Sequence, residues 1–269
     1  MTGDEKNKKA LRMHTEAGLL VVESLSKNFG GHQALDQVSF ALQARAIGGL
    51  IGPNGAGKTT LFNCLTGFMK PASGRVLLDR VSISGRSSSA VFAAGLARTF
   101  QIPRPFPEMT VLENVMVAPR GQAGERFWAN WLQPRQVAQQ ERKTQESARY
   151  WLDFVGLSSL EHEPARILSG GQRKLLELAR VMVAQPKIVL LDEPGAGVNP
   201  ALLDQIVDKV RALNTQGTTF LIIEHNMDLV ASLCNPVMVM AQGRLLMSGD
   251  ADCVLNDPRV VDAYLGSPA

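Results

Sequence analysis

Apolar residues change their spacing twice along this chain. In the first hundred residues they fall in short runs of strand length. Leu19 to Leu25 is one such run, Val38 to Leu42 alternates, and Ala46 to Ile51 is apolar or glycine throughout. Arg75 to Asp79 follows the turn-like Pro71-Ala72-Ser73-Gly74. Runs of this kind, bounded by turn formers, predict strands. From about Thr110 to Ala165 the period lengthens. Val137, Thr144, Ala148, Trp151, Leu152 and Val155 recur at helical spacing. Thr110 with Glu113 has the form of a capping box opening a helix through Val117. All three tryptophans lie in this stretch. Trp151 reads as core, whereas Phe127, Trp128 and Trp131 follow a glycine-rich loop and read equally as a partner-facing patch.

The last third returns to α/β alternation. Ile188 to Leu191 is wholly apolar, as suits a parallel strand covered on both faces. Leu202, Leu203, Ile206, Val207, Val210 and Leu213 trace one helix face, which Gly217 closes. Thr218 to Ile223 is the next buried strand. Val237 to Met240, the Gln242-Gly243 turn and Arg244 to Met247 predict a hairpin. The organisation expected is a charged, mobile tail over 1–17 and one domain over 18–269. Within it, 18–101 and 166–269 form the core and 102–165 an inserted helical subdomain.

Composition narrows the class. With 269 residues the chain is long enough to bury a sizeable core. A net charge of +3 is too small to argue for nucleic acid as a partner. The cysteines, Cys64, Cys234 and Cys253, lack metal-ligand spacing and read as reduced thiols of a cytosolic protein. No stretch approaches ~18 consecutive apolar residues, so none predicts a membrane span.

Chemistry concentrates in Gly52-Pro53-Asn54-Gly55-Ala56-Gly57-Lys58-Thr59-Thr60. A glycine, four residues, then Gly-Lys-Thr is the pattern of a loop that wraps a polyphosphate. Glycines let the backbone turn its N–H groups inward, Lys58 reaches the outer phosphates, and the Thr59 hydroxyl ligates Mg²⁺. The loop stands between a predicted strand and a helix, so the phosphates would meet a helix N-terminus. Asp192 and Glu193 end the apolar strand Ile188 to Leu191. Ligands of open α/β sheets bind beyond the carboxyl ends of strands. Asp192 is expected to hold Mg²⁺ through its waters. Glu193 is expected to point elsewhere, since side chains alternate on a strand, and to act as general base on the attacking water.

Leu168-Ser169-Gly170-Gly171-Gln172 precedes a second helix, with Ser169 as N-cap. It predicts another phosphate-binding helix terminus. One nucleotide hardly needs two from one chain, so a dimer is expected in which each chain caps the nucleotide held by the other. His225 follows the strand Phe220 to Ile223 and is placed to orient the γ-phosphate or the water. Gln101 precedes the helical insertion and is a candidate to sense metal or γ-phosphate. Phe29 is a candidate to stack on adenine.

Taken together, these residues resemble the ATP-binding subunit of an ABC transporter, over nearly all of the chain after the first ~17 residues. Leu168 to Gln172 resembles the family signature. Phe29, Gln101, Asp192-Glu193 and His225 fall where that family has its adenine-stacking aromatic, Q-loop, Walker B acids and switch histidine. Gly95 to Gln101, Phe106 to Val115, Gly195 to Pro200, Glu224 to Asp228 and the ending Ala263-Tyr264-Leu265-Gly266 are similar to the branched-chain amino acid importer subfamily. The resemblance implies an α/β fold of P-loop NTPase type, with a mixed sheet, an N-terminal antiparallel region and an inserted helical subdomain. It implies ATP and Mg²⁺, a second ATP-binding subunit, membrane permeases and an extracytoplasmic solute-binding protein, at the cytoplasmic face of the inner membrane. Importers of urea, amides or aromatic acids are the near alternative, and a soluble ABC ATPase of translation or DNA repair the distant one. Asn199 stands where many relatives of the family have aspartate.

Overall fold

The computed structural model describes residues 18–99, 104–118 and 134–265. The chain divides into two compact units. Of the described residues, one takes those up to Arg98, Lys187–Pro194 and those from Arg211. The other takes Thr99–Pro186 and Gly195–Val210, a wider share than the helical segment 102–165 read from the sequence.

In the first unit, Leu20–Phe29 (β1), His32–Leu42 (β2), Ser73–Leu78 (β4) and Val81–Ser82 (β5) form an antiparallel sheet in the order β2-β1-β4-β5. Its pairing sets Val22 opposite both Phe40 and Val76, so one face is apolar and buried. Ile47–Ile51 (β3), Leu96–Arg98 (β6), Ile188–Asp192 (β7), Thr219–Ile223 (β8), Val237–Ala241 (β9) and Arg244–Gly249 (β10) form the second sheet. Its order is β10-β9-β3-β8-β7-β6, parallel except for the terminal β9–β10 hairpin. Every residue of β3, β7 and β8 is buried, which is why those strands read as unbroken apolar runs. Both sheets and the helix Lys58–Leu65 (α1) share one core, with Phe40, Phe62, Leu50, Leu190 and Leu221 among its members. The short helix Ser88–Ala93 (α2) completes the early part of this unit. The expected α/β class with a mixed sheet and an antiparallel N-terminal region is what the chain builds.

The consequence for function lies in strand order. β3, β8 and β7 are neighbours and run the same way. The loops after their carboxyl ends therefore emerge side by side, where ligands of such sheets bind.

In the second unit, Val111–Met116 (α3), Pro134–Val155 (α4) and Gly170–Met182 (α5) pack on one another. The expected capping box is present: Thr110 accepts from the Glu113 N–H, and Glu113 accepts from the Thr110 N–H. Trp151 is buried, as its spacing predicts. Phe127, Trp128 and Trp131 lie outside the described residues. Asn114 is fully buried and pins the loop before α3. Its amide donates to the carbonyls of Phe106, Met109 and Thr110, and its Oδ1 accepts from the Phe106 N–H. Pro200–Thr215 (α6) begins in this unit. Asn199 accepts from the Leu202 N–H at 2.9 Å, so asparagine caps that helix as aspartate would. Among the described residues, no helix is long and apolar enough to cross a membrane.

Candidate functional site

Residues 52 to 60 leave β3 and enter α1, with Gly57 as the N-cap of that helix. A Cβ on Gly52 would lie 2.1 Å from the Met240 carbonyl oxygen, and one on Gly57 would lie 2.6 Å from that of Ala34. The loop is pressed against neighbouring backbone at both ends, and only glycine fits there. Lys58 folds back over the loop and is buried. Its Nζ donates to the carbonyls of Gly52 at 2.6 Å and Pro53 at 3.0 Å. Burial holds the ammonium below its usual lysine range, and the carboxylates of Glu193 and Asp192 partly offset this.

An open cleft of about 330 Å³ lies over the loop. Phe29, His32, Ala34, Asn54 to Thr60, Glu193 and His225 line it. Phe29 is 45% exposed, with the Lys27 ammonium 5.3 Å from its ring centre. A flat aromatic, a glycine-rich loop entering a helix N-terminus and a cation line this cleft, which suits a nucleobase at one side and phosphates at the other.

Glu193 and His225 meet at the cleft edge, Oε1 to Nε2 at 3.1 Å. Their backbones explain the meeting. Glu193 has φ of 49°, a left-handed conformation that costs a non-glycine residue about 1–3 kcal/mol. Its N–H donates to the Ile223 carbonyl at 2.9 Å, which ties the turn after β7 to the end of β8. Glu224, buried beside it, accepts from the N–H groups of His225 at 3.0 Å and Asn226 at 3.4 Å, shaping the turn that presents His225. Asp192 and Glu193 do diverge, but the cause is this positive φ and not strand alternation, because β7 ends at Asp192.

Asp192 does not line the cleft with Glu193. It is buried and paired with Arg98, Oδ2 to Nη2 at 2.6 Å. Arg98 also donates from Nη1 to Asn63 Oδ1 at 2.6 Å and lies over the Phe62 ring. Arg98, Asn63, His32 and Tyr264 were not among the residues the sequence pointed to. Gly95 to Gln101 and Ala263 to Gly266 were visible as motifs, but nothing local tells what Arg98 or Tyr264 touches. The Gly52 N–H donates to the Tyr264 hydroxyl at 2.6 Å. Burial raises the Tyr264 hydroxyl above its usual range, so it stays neutral. Gln101 lies outside the described residues.

Ser169, Gly170, Gly171 and Gln172 belong to the second unit. Ser169 caps α5 and accepts from the Gln172 N–H, while the Gln172 side chain accepts from the Ser169 N–H. Gly171 has a packing reason to be glycine: a Cβ there would lie 1.6 Å from Leu202 Cδ2. Lys174 donates to the Ala196 carbonyl at 2.7 Å.

The donor set fits a nucleotide and a hard cation. Among the described residues, no three of His, Cys, Asp and Glu stand together as a metal cage. Thr59 and Asp192 are oxygen donors of the kind that Mg²⁺ takes when it keeps its waters and leans on phosphate oxygens.

Comparison with known proteins agrees. The family model described as ABC transporter matches residues 35–196. The probable branched-chain amino acid transport ATP-binding protein LivG of Archaeoglobus fulgidus is 39% identical over 253 residues, covering 93% of this chain and 96% of that protein. The high-affinity branched-chain amino acid transport ATP-binding protein LivG of Escherichia coli is 41% identical over 251 residues, covering 92% and 98%. A solved nucleotide-free ATP-binding cassette from an ABC transporter matches with TM-score 0.81 and 37% identity, over 93% of this chain and 99% of that one. An ADP-bound conformation of an ATP-binding cassette matches at 0.79 with 37% identity and the same coverage. The chain therefore belongs to the ABC transporter family, as an ATP-binding cassette that hydrolyses ATP.

Proposed function

We propose that this chain is the motor subunit of a bacterial ABC importer whose cargo is branched-chain amino acids. The names of its relatives support the cargo, and a chain with one P-loop and one Ser-Gly-Gly-Gln cap supports pairing. In this reading two ATP-binding subunits, identical or homologous, close on two ATP molecules. Each Ser169 to Gln172 cap completes the site of the other subunit. The subunits sit at the cytoplasmic face of the cell membrane, against permeases that receive solute from an extracytoplasmic binding protein. No nucleic acid takes part.

The Glu193–His225 pair at the edge of the cleft carries the catalytic reading. The loop from Gly52 to Thr60 binds the phosphates, with Lys58 trading its carbonyl partners for phosphate oxygens. Phe29 stacks on the base. Glu193 takes a proton from the attacking water, and His225 orients Glu193 and the γ-phosphate. Thr59, Asp192 and Gln101 would hold Mg²⁺, which when bound supplies charge neutralisation to the phosphates. Gln101 starts the segment through which nucleotide state reaches the permeases.

Deleting the gene and measuring labelled leucine uptake tests the assignment. Lost uptake, restored by the intact gene, is expected. Unchanged leucine uptake with lost uptake of urea, an amide or an aromatic acid transfers the assignment to that solute. Recovery with ribosomes or DNA, instead of permeases, from detergent extracts would remove the transport reading.

A further inference from the structure

We propose that Arg98 is a positioning residue that sets the separation between the two side chains offered to the metal, Thr59 and Asp192. The inference rests on the metal reading above. Arg98 stands at the end of β6 and reaches two other elements at once. One arm of its guanidinium takes Asp192 Oδ2 on β7, and the other takes Asn63 Oδ1 on α1, each at 2.6 Å. Asn63 follows Thr59 by four residues on α1, so the two share a helix face one turn apart. A guanidinium is planar and rigid, so the groups on its two arms are held at one spacing. The Phe62 ring, 5.5 Å from the guanidinium carbon, backs the plane.

The arrangement does more than neutralise Asp192. Both side chains of the ion pair are under a tenth exposed, at 7% and 8%, so neither drifts in water. Of the two carboxylate oxygens, Arg98 engages Oδ2. A lysine would supply the charge but not the fork. The segment from β6 thus registers the acid of β7 against the hydroxyl of α1.

The test is a Mg²⁺ titration of the purified protein with a fluorescent ATP analogue, beside the affinity measured in chelator. In Arg98→Gln the half-saturating Mg²⁺ concentration is expected to rise about 10-fold. Asn63→Ala, which leaves the ion pair intact, is expected to raise it about threefold. Metal-free affinity should stay within about twofold in both variants. Rescue is expected from Arg98→Lys only in part. A wild-type Mg²⁺ response that both variants keep overturns the inference alone. So does a variant whose metal-free affinity and melting temperature fall while its Mg²⁺ half-saturation does not move, the mark of a merely structural pair. A wild-type protein whose affinity ignores Mg²⁺ overturns the metal reading and the inference with it. Should Arg98→Gln fail to fold, Asn63→Ala decides the matter.

Discussion

Gly52 donates its backbone N–H to the hydroxyl of Tyr264 over 2.6 Å, although 212 residues separate them. The first glycine of the phosphate loop is thereby held by the last described helix, Pro258–Leu265. Tyr264→Phe keeps the ring and removes the acceptor. One lost hydrogen bond of about 1 kcal/mol corresponds to roughly fivefold weaker nucleotide binding. Titration with a fluorescent ATP analogue should show that loss, with turnover at saturation within about twofold. Wild-type affinity in the variant would mean that the contact does not hold the loop.

Glu193→Gln keeps the size of the side chain and its contact with His225 while abolishing the base. Turnover is expected to fall by about 10²–10⁴-fold, with ATP binding retained and a closed dimer accumulating. Phosphate release and size-exclusion chromatography with ATP measure the two halves of this prediction. Wild-type-like turnover would take Glu193 out of the general-base role. Lys58→Ala should act differently and weaken nucleotide binding itself.

Gly171→Ala drives a methyl group to within 1.6 Å of Leu202 Cδ2. Overpacking of this kind costs about 1–3 kcal/mol. Denaturant unfolding should show that loss, and the double variant Gly171→Ala, Leu202→Ala should recover part of it. Additive losses in the double variant would show that Leu202 is not the obstacle.

The three thiols should differ in reactivity. Burial pushes the Cys234 thiol up to about 12 and raises that of Cys64, so both stay protonated near neutral pH. Only the thiolate attacks an alkylating agent, and Cys253 alone is exposed. Mass spectrometry should find Cys253 modified first on the native protein, and Cys64 and Cys234 only after denaturant. Early labelling of Cys234 would contradict its burial.

These experiments probe residues of two kinds. The phosphate loop is legible because its chemistry demands consecutive residue types, and its strand and helix flank it directly in the chain. The buried strands are legible because full burial leaves an unbroken apolar run. Arg98 and Tyr264 are not legible in that way. Each takes its meaning from a partner 94 or 212 residues away, which no local pattern encodes. Glu193 is a mixed case. Its divergence from Asp192 is foreseeable, but the left-handed turn that causes it is not, since nothing about glutamate announces positive φ. Gly171 is the reverse: the glycine is conspicuous, while its neighbour Leu202 is not.

The strand order β10-β9-β3-β8-β7-β6 has a bearing on synthesis. A ribosome delivers β3 and β6 first, and these are not neighbours; β7 and β8, delivered last of the four, fill the space between them. The antiparallel sheet is complete by Ser82, and the phosphate loop is written out by Thr60. Yet that loop has no Glu193 or His225 beside it until β8 has left the exit tunnel. A nascent chain truncated before that point carries the motif without the pocket.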